Sequence, residues 1–393
     1  MKDELKALLF NSYKIVFKIM GFILPKNNKI IVFESFLGKQ YSDNPRAIYE
    51  HIKEEYPSYK LYWSFDKAVY NSFSELSLKK LKRFSLKWLI TMNRAKYWVS
   101  NSRMPLWIPK PRNTIYIQTW HGTPLKKLAV DMEKVYMPGT NTENYKKNFL
   151  KESAKWDYLI SPNEYSTKIF RRAFAFEKEV LETGYPRNDF LVQKDNSKDI
   201  QRIKSMINLP ANKKILLYAP TWRDNQYYNV GKYKFNIPMD LKEVQKELSD
   251  DYIILLRTHY LVSENLDLKE FNEFVYDVSK YEDIRDLYII SDMLITDYSS
   301  VFFDYANLKR PMIFYVYDLE EYRDKLRGFY FDFEKDAPGP LIKTTNELIK
   351  VIKQYEEGFY ISEKVKQFYG KYCYLEDGES TSRVVKRILK NNE

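Results

Sequence analysis

The stretch that decides the expected fold is Gln118-Thr119-Trp120-His121-Gly122-Thr123-Pro124-Leu125-Lys126-Lys127. It follows the run Thr114-Ile115-Tyr116-Ile117, which predicts a buried strand. Gly122 and Pro124 end that strand, and Thr123 is expected to cap a helix that begins next. The sequence therefore predicts that His121 lies at the carboxyl end of a strand, ahead of a helix start.

That position suits a functional role for His121. Open α/β sheets bind ligands at the carboxyl ends of their strands, and helix N-termini attract anions. The ordinary pKa of histidine allows proton transfer near neutral pH. Together with Lys126 and Lys127, the histidine indicates a reaction on an anionic substrate. The alternative is a histidine whose polar atoms are satisfied within a tight turn.

Length and charge limit the classes of protein to consider. At 393 residues the chain is long enough for two domains. Its net charge is +11 and its aromatic content 17%, with 34 tyrosines, so the surface is expected to be basic and rich in rings. Such a surface suits nucleic acid, anionic lipid or a phosphorylated substrate.

Cysteine and histidine are scarce in the sequence. Cys373 is the single cysteine, which excludes an internal disulfide and favours a reducing compartment, most simply the cytoplasm. The three histidines lack the spacing of transition-metal motifs, so no metal site is predicted. The dinucleotide, P-loop and serine-hydrolase motifs are absent as well, and those functions lose their usual support.

Positive charge is concentrated between Lys79 and Lys127. This segment contains twelve lysine or arginine residues and no acidic residue. Its cations are interleaved with apolar residues such as Trp88 and Trp107, and it leads directly into the His121 turn. A solvated charged face is the ordinary interpretation of such a run, but we favour a docking surface for an anionic partner.

Residues 5–24 predict an amphipathic helix. Lys6, Asn11, Lys14 and Lys18 fall within one sector at about 100° per residue, and apolar residues occupy the remainder. Three lysines disfavour a membrane-spanning helix, and no signal-peptide cleavage site is recognisable. Residues 1–28 are therefore predicted to lie in a membrane interface. A helix that packs on its own domain is the alternative.

Alternating strands and helices predict two lobes, each with a parallel sheet covered by helices on both faces. The pattern breaks at residues 184–189, and the polar residues that follow predict a junction. We expect one lobe at residues 29–192, a second at 193–375, and a C-terminal helix within 376–393. The predicted strands are 29–33, 61–65, 97–100, 114–117, 158–161, 214–219, 252–256, 293–296 and 310–315.

Three strand ends of the second lobe are expected to bring polar side chains to one sheet edge. They carry Thr221 with Arg223, Arg257 with His259, and Ser299 with Ser300. Hydroxyls, cations and helix-start N–H groups suit a diphosphate, and Asp304, one turn into the next helix, is placed to reach a ribose hydroxyl. A capped helix or a surface ion pair is the alternative for each element taken alone.

From about Ile30 onward the chain resembles the CDP-glycerol glycerophosphotransferases, bacterial enzymes that build teichoic acids and related polymers. The motifs of this resemblance occur in the family's order, and they are Asp43-Asn44-Pro45, Trp120 to Lys127, Gly184-Tyr185-Pro186-Arg187-Asn188, Ala219-Pro220-Thr221-Trp222-Arg223, Arg257-Thr258-His259, and Thr296-Asp297-Tyr298-Ser299-Ser300 with Asp304. The resemblance implies an α/β, GT-B-like fold, in which two Rossmann-like lobes face a central cleft.

The resemblance also implies a reaction. Glycerol phosphate would pass from CDP-glycerol to a hydroxyl of an undecaprenyl-diphosphate-linked saccharide, with release of CMP, in wall teichoic acid synthesis. The enzyme would need no cofactor and would act at the cytoplasmic face of the cell membrane, bound to its anionic surface. The long N-terminal region of the family's polymerases is absent from this sequence, so we expect one or a few units to be added.

Site residues follow from the same resemblance. His121 would be the base that faces the acceptor hydroxyl, with His259 as a second catalytic candidate. The donor would be bound by Thr221, Arg223, Arg257, His259, Asp297, Ser299, Ser300 and Asp304. The acceptor side would comprise Asp43, Asn44, Gly122, Thr123, Lys126 and Lys127.

Three alternatives stay open. The first is a teichoic acid or capsule enzyme that uses another CDP-polyol, such as CDP-ribitol. The second is a glycosyltransferase of the same two-lobe fold that uses a nucleotide sugar. The third is a nucleic-acid-binding protein that uses the Lys79 to Lys127 segment, but it leaves the polar strand ends unexplained, so no nucleic-acid partner is predicted.

Overall fold

The computed structural model describes residues 2–135, 140–221, 223, 227–229, 232–233, 237–258, 268–323 and 328–390, with side chains described except in 2–9, 227–229 and 232–233. The strands are β1 (Asn27–Glu34), β2 (Lys60–Phe65), β3 (Lys80–Lys82), β4 (Ala95–Ser100), β5 (Ile115–Gln118), β6 (Tyr158–Ser161), β7 (Glu179–Glu182), β8 (Lys214–Ala219), β9 (Tyr227–Asn229), β10 (Lys232–Tyr233), β11 (Tyr252–Leu256), β12 (Val275–Asp277), β13 (Met293–Thr296), β14 (Met312–Tyr315) and β15 (Leu341–Ile342).

The α-helices are α1 (Lys2–Ile23), α2 (Asp43–Glu55), α3 (Leu86–Arg94), α4 (Thr142–Ser153), α5 (Glu164–Ala173), α6 (Asp189–Lys194), α7 (Ser197–Met206), α8 (Leu241–Leu248), α9 (Ile284–Ile290), α10 (Val301–Tyr305), α11 (Leu319–Glu321), α12 (Phe333–Asp336), α13 (Thr345–Glu357), α14 (Glu363–Tyr372) and α15 (Ser380–Leu389). Short 3₁₀ helices connect some of these elements, among them Pro186–Asn188.

Within the described residues, the strands form two large sheets and the small antiparallel pair β9–β10. The first large sheet has the order β3-β2-β1-β4-β5-β6-β7, and the second has the order β12-β11-β8-β13-β14-β15. Every neighbouring pair in both is parallel. In each sheet the chain starts in the middle, builds one side and then returns to build the other, as in dinucleotide-binding folds. The predicted α/β class with two Rossmann-like lobes is confirmed.

The residues group into two compact units. The first contains Met1–His121, Lys146–Asp189 and Glu379–Glu393, and the second contains Gly122–Tyr145 and Phe190–Gly378. These ranges differ from the linear division expected above in three respects, since the first unit also contains α1, the second contains the segment after His121, and the first contains the C-terminal helix. The segment after His121 joins the second unit because it pairs with residues 328–330 of that unit. The C-terminal helix joins the first unit because its apolar face is buried there.

Helices cover both faces of the sheet in the first unit. Ile31 and Phe33 of β1 point to one face, where they share a buried cluster with residues of α2 and α15. Trp98 of β4 points to the other face, since successive side chains alternate along a strand. Its indole N–H donates to the Met92 carbonyl of α3 (3.0 Å). The predicted two-sided covering is therefore present in this unit.

The central strands of the second unit are buried along almost their whole length. Such strands read as continuous apolar runs because both faces of a parallel sheet are covered. On one face, Val244 of α8 and Leu348 and Ile352 of α13 lie in a buried cluster with Ile254 and Ile295.

Helix α1 has two different apolar faces. One face packs on the first unit, where the buried Phe17 ring lies 5.9 Å from the Trp88 ring of α3 and 6.2 Å from the Trp107 ring. The opposite face is exposed, and we call it the outer face of α1. It consists of Ile15, Val16, Ile19, Phe22 and Ile23. Among the described helices, none combines the length and apolar character that a membrane crossing requires.

Asp189 joins α15 to the rest of the first unit. Its carboxylate accepts hydrogen bonds from the backbone N–H groups of Ser380 (2.9 Å) and Thr381 (2.7 Å), at the start of the helix. Helix starts have N–H groups without intrahelical partners, and a carboxylate that binds them stabilises the helix.

We expect Asp189→Ala to lower the free energy of unfolding of the first unit by about 1–2 kcal/mol, because both N–H groups lose their buried acceptor. Urea unfolding followed by tryptophan fluorescence measures this loss. The control is Glu363→Ala, which changes an exposed residue in the first turn of α14 and should alter stability by less than about 0.5 kcal/mol. Equal unfolding midpoints for Asp189→Ala and the parent protein would contradict the assignment.

Candidate active site

The His121 ring is fixed by one main-chain acceptor. His121 follows β5, and its Nδ1 lies 2.9 Å from the carbonyl oxygen of Asn101, which follows the neighbouring strand β4. A carbonyl oxygen accepts hydrogen bonds and cannot donate them, so Nδ1 carries the proton. The lone pair of the neutral ring is therefore on Nε2, where it can accept a proton from a substrate.

The surroundings of the ring favour this neutral form. Desolvation lowers the pKa of His121 below its ordinary value, although the residue keeps access to solvent. The charge of Asp43 and the hydrogen bond to Asn101 act in the opposite direction, whereas Arg187 and Arg103 add to the lowering of the pKa. We therefore expect an uncharged imidazole at pH 7.

Buried polar side chains hold the loop that carries the ring. The Asn44 amide donates to the carbonyls of Thr119 (3.4 Å) and Trp120 (3.3 Å), and Arg187 Nη1 donates to the His121 carbonyl (2.9 Å). Arg187 Nη1 also contacts Asp43 Oδ2 (2.9 Å). The main chain of the loop is thus held from two other segments of the first unit.

Asp43 and Asn44 were expected on the acceptor side, and the structure places their polar atoms on the His121 loop and on Arg187. Asp43 Oδ1 accepts from the Asn44 N–H (2.5 Å), and Asn44 Oδ1 accepts from the Arg187 N–H (3.1 Å). Asp43 (φ +67°) and Trp120 (φ +52°) have left-handed backbone conformations, which Asp adopts more readily than most residues but which are unusual for a bulky residue such as Trp. Strain of this kind persists where the surroundings fix the backbone firmly, and it clusters at functional sites.

The part played by Asn101 was not predicted from the sequence. It directly follows β4, which was predicted, and Ser100-Asn101-Ser102 is a polar cluster at that strand end. The same reasoning that selected His121, a polar residue at a carboxyl strand end, could have selected Asn101. No sequence pattern indicated that the main-chain carbonyl of Asn101 accepts the hydrogen bond from His121.

The predicted helix at Thr123 is wrong. Residues 122–128 are not helical, because this segment pairs with the chain at 328–330 of the second unit. The Lys127 N–H donates to the Gly328 carbonyl (2.8 Å), and the Tyr330 N–H donates to the Leu125 carbonyl (2.9 Å). Hydrogen bonds to this neighbouring segment satisfy main-chain polar groups that a helix would otherwise have to pair.

The remaining residues expected on the acceptor side lie in this segment. Thr123 is buried, Lys127 Nζ pairs with Glu133 (2.8 Å), and Lys126 Nζ lies 5.2 Å above the Tyr322 ring. Gly122 packs against Ser300, since a Cβ at this position would lie 2.8 Å from the Ser300 Oγ. A larger residue at this position would therefore require the Ser300 hydroxyl to move.

The second unit brings the predicted strand ends together as expected. β11, β8 and β13 are adjacent and parallel, so the residues after them share one sheet edge. The order of the strands reverses between β8 and β13, which is where open α/β sheets form ligand sites. Thr221 and Asp297 meet at this point, because the Thr221 N–H donates to Asp297 Oδ1 (2.8 Å).

Arg223 is bound by two carboxylates at the same edge. Its Nη1 lies 2.9 Å from Asp297 Oδ2, and its Nε and Nη2 donate to the two oxygens of Asp318 (2.7 and 2.9 Å). Burial acts to lower the pKa of Arg223, but Asp297 and Asp318 more than compensate, and the pKa is raised overall. Tyr298 donates to Asp318 (2.9 Å) and lies against the guanidinium. Arg223 and Asp297 therefore connect three strand ends, and their predicted contact with the donor stays a prediction.

Arg257 is engaged by main-chain carbonyls. Its Nη1 donates to the carbonyls of Val278 (2.7 Å), Ser279 (3.1 Å) and Tyr281. These contacts hold the residue that follows β11 against the chain after β12. The predicted partner His259 lies outside the described residues, as does Trp222.

The last predicted donor residues lie around α10. Ser299 and Ser300 precede this helix and are partly exposed, whereas Asp304 is buried within it. Burial, followed by the charges of Glu376 and Asp304, raises the pKa of the Cys373 thiol, so Asp304 lies near that cysteine. The part of the chain with described side chains contains no group of three or more His, Cys, Asp or Glu placed to hold a metal ion.

Comparison with known proteins identifies similar sequences over almost the whole chain. The family described as CDP-Glycerol:Poly(glycerophosphate) glycerophosphotransferase matches residues 16–390. A teichoic acid poly(glycerol phosphate) polymerase of Bacillus subtilis (strain 168) is 59% identical over 384 residues, which are 98% of this chain and 51% of that protein. The chain thus spans about half the length of this relative.

Two further relatives match over nearly their full length. A teichoic acid glycerol-phosphate transferase of Staphylococcus aureus (strain NCTC 8325 / PS 47) is 48% identical over 394 residues, covering 99% of this chain and 100% of that protein. Among solved structures, a histidine-to-asparagine variant of the wall teichoic acid polymerase TagF, soaked with CDPG, superposes with a TM-score of 0.88 at 44% identity. That match covers 98% of this chain and 95% of the other, and it confirms the GT-B-like class.

Arg223→Ala is expected to destabilise the second unit by about 3–5 kcal/mol, because it leaves buried Asp297 and partly buried Asp318 without their positive partner. Urea unfolding measures the loss. The matched control is Arg323→Ala, which removes an exposed ion pair with Glu334 and should cost less than about 1 kcal/mol. Similar losses for the two variants would show that the Arg223 cluster does not hold the strand ends.

Proposed function

Because the chain belongs to the CDP-glycerol:poly(glycerophosphate) glycerophosphotransferase family, we propose that it transfers glycerol phosphate from CDP-glycerol to a hydroxyl of a membrane-anchored saccharide, with release of CMP. The family membership confirms the resemblance that the sequence motifs indicated. The transfer serves wall teichoic acid synthesis, as in the relatives named above, and takes place at the cytoplasmic face of the cell membrane on an undecaprenyl-diphosphate-linked acceptor.

One observation supports the chemistry most directly, which is the hydrogen bond between His121 Nδ1 and the Asn101 carbonyl. It leaves Nε2 as the proton acceptor of a neutral ring. The acceptor hydroxyl gives its proton to Nε2 while its oxygen forms a bond to the β-phosphorus of the donor. The bond between that phosphorus and the oxygen bridging to the α-phosphate breaks, and the electron pair leaves with CMP.

The donor is proposed to bind at the shared strand edge of the second unit. The Thr221 hydroxyl is buried there and forms no hydrogen bond with any described residue. Ser299 and Ser300 lie beyond the neighbouring strand β13 and keep some exposure. These hydroxyls can donate hydrogen bonds to diphosphate oxygens. Arg223 holds the chain segments at this sheet edge in place through its ion pairs. The expectation that no metal is needed stays a prediction, and turnover in the presence of a chelator tests it.

The membrane part of the proposal rests on the outer face of α1. Its five apolar side chains project away from the protein, with Phe22 77% exposed, and the exposed Lys18 lies on the same helix. Leu86 and Lys87, at the start of the neighbouring helix α3, are exposed as well. Exposed apolar residues flanked by lysines are typical of helices that lie in the interface of an anionic membrane.

We expect the purified protein to release CMP from CDP-glycerol when a synthetic lipid-linked disaccharide is present, and His121→Ala to lower kcat by about 10²- to 10⁴-fold. The reason is loss of the general base. Donor affinity, measured by calorimetry, should stay near that of the parent protein. Mass analysis of the product counts the added units, and CDP-ribitol or a nucleotide sugar in place of CDP-glycerol tests the alternative donors.

The matched control is His51→Ala, since His51 lies within α2, away from the helix start, and should leave kcat unchanged. Full turnover of His121→Ala would pass the role of base to another residue. Equal losses of turnover and donor affinity would make His121 a binding residue.

A double substitution of the outer face, Ile19→Glu with Phe22→Glu, should weaken binding to vesicles that contain phosphatidylglycerol by tenfold or more. Each exposed apolar side chain that enters the interface contributes on the order of 1.5–3 kcal/mol, and about 1.4 kcal/mol corresponds to tenfold in affinity. Vesicle sedimentation measures the effect, and added salt should weaken the binding of the parent protein.

Met206→Glu is the control, because Met206 is 63% exposed at the end of α7 in the second unit. It should bind vesicles like the parent protein. Equal binding of the parent to neutral phosphatidylcholine vesicles and to anionic vesicles would contradict the electrostatic part of the proposal. Unchanged binding of the double variant would contradict the part assigned to α1.

A further inference from the structure

We propose that Arg187 is a positioning residue for the reaction, which holds His121 by its main-chain carbonyl and balances the negative charge of Asp43 beside the ring. The inference rests on the proposed role of His121 as the base. It adds a residue whose side chain acts through His121, with Asp43 as its counter-charge.

The geometry shows how one guanidinium serves both tasks. Arg187 lies in the short 3₁₀ helix Pro186–Asn188, close after β7, and its side chain is buried. Nη1 lies 2.9 Å from the His121 carbonyl and 2.9 Å from Asp43 Oδ2. The Arg187 N–H donates to Asn44 Oδ1 (3.1 Å), and that amide in turn binds the carbonyls of Thr119 and Trp120. Three consecutive carbonyls of the loop are therefore held by this cluster.

The local backbone explains why such a cluster is needed. Trp120, directly before His121, has a φ of +52°, and Asp43 has a φ of +67°. A non-glycine residue in the left-handed region costs roughly 1 kcal/mol or more, so the loop would relax without contacts that fix it. Any such relaxation would turn the imidazole away from the Asn101 carbonyl and lose the defined tautomer.

Charged side chains around the ring also connect Arg187 to His121. Among the described residues, the charged groups with the main influence on the ring are Asp43, Arg187 and Arg103, and the Arg103 guanidinium lies 4.5 Å above the Phe149 ring of α4. The negative charge of Asp43 raises the affinity of the ring for a proton, and Arg187 lowers it. Arg187 therefore offsets part of the effect of Asp43, so that desolvation, which is the largest influence, keeps the pKa of His121 low and the base unprotonated.

Opposite charge changes should shift the titration of His121 in opposite directions. Arg187→Gln leaves Asp43 unbalanced and should raise the pKa of His121, and Asp43→Asn leaves Arg187 unbalanced and should lower it. Each shift is expected to be about 0.5–1 pH unit, as for a charge a few ångströms from a partly solvated group. Arg187→Lys keeps the charge but loses the planar fork, so it should lower kcat with a smaller change in the pKa.

The primary measurement is an NMR titration of ¹³C-labelled histidine in the full-length protein without substrate, where the three histidines are assigned with single His→Ala variants. It reads the His121 pKa independently of activity. The acid limb of kcat/KM against pH gives the second readout, and it should move with the NMR value. KM for CDP-glycerol should change little.

Arg187→Gln and Asp43→Asn each test the role of Arg187 independently. If only one of them folds, as judged by circular dichroism, the direction of its shift still supports or contradicts the inference. Unmoved titration in both variants, or a shift of the same sign in both, would overturn it and leave Arg187 a structural residue. Failure of the proposed function is distinguishable, because the parent protein would then release no CMP from CDP-glycerol, whatever the titrations show. Parental turnover of His121→Ala would instead remove His121 as the base on which the inference rests.

Discussion

Parallel strand pairing is the constraint on which the rest of this structure depends. A parallel strand must be followed by a crossover connection that returns the chain to the opposite edge, so every strand of a sheet ends at the same edge. This places Asn101 and the His121 loop at one edge of the first sheet, after β4 and β5. It equally places Thr221, Arg257 and Asp297 at one edge of the second sheet. The parallel sheet of each unit is therefore sufficient to bring its proposed site residues together.

Buried ion pairs at these edges hold loops in place. Arg187 with Asp43, and Arg223 with Asp297 and Asp318, each connect segments distant in sequence. A buried pair contributes little net stability compared with apolar packing, but the loss of one partner is costly. Such pairs thus make alternative loop arrangements unfavourable without making the fold much more stable. The His121 loop, whose residue Trp120 has a left-handed backbone conformation, benefits from that property.

Sequence reasoning found the central strands and missed those at the sheet edges. The apolar runs predicted β1, β2, β4, β5, β6, β8, β11, β13 and β14, whereas β3, β7, β12 and β15 form the four outer edges of the large sheets. Edge strands are short and partly exposed, as in the Lys-Leu-Lys of β3, so they carry no apolar run.

The position of His121 could be predicted because the residue follows an apolar run, the same signal that predicted the central strands. The partner that orients its ring could not be predicted, because any residue type can supply a main-chain carbonyl. The helix expected at Thr123 is absent because pairing with residues 328–330 overrides the local turn pattern.

Helix α1 shows why an amphipathic pattern alone leaves two interpretations open. A single apolar and a single polar face would serve equally well for packing on the protein or for lying on a membrane. The structure resolves two apolar faces, with Phe17 packed against aromatic rings on one side and the residues Ile15 to Ile23 exposed on the other. The packed face fixes the helix to the unit that carries His121. For the proposed transfer to a membrane-anchored acceptor, the base would have to stay at a constant height above the lipid. A helix that packs on the protein on one side and is apolar on the other is suited to that task without crossing the bilayer.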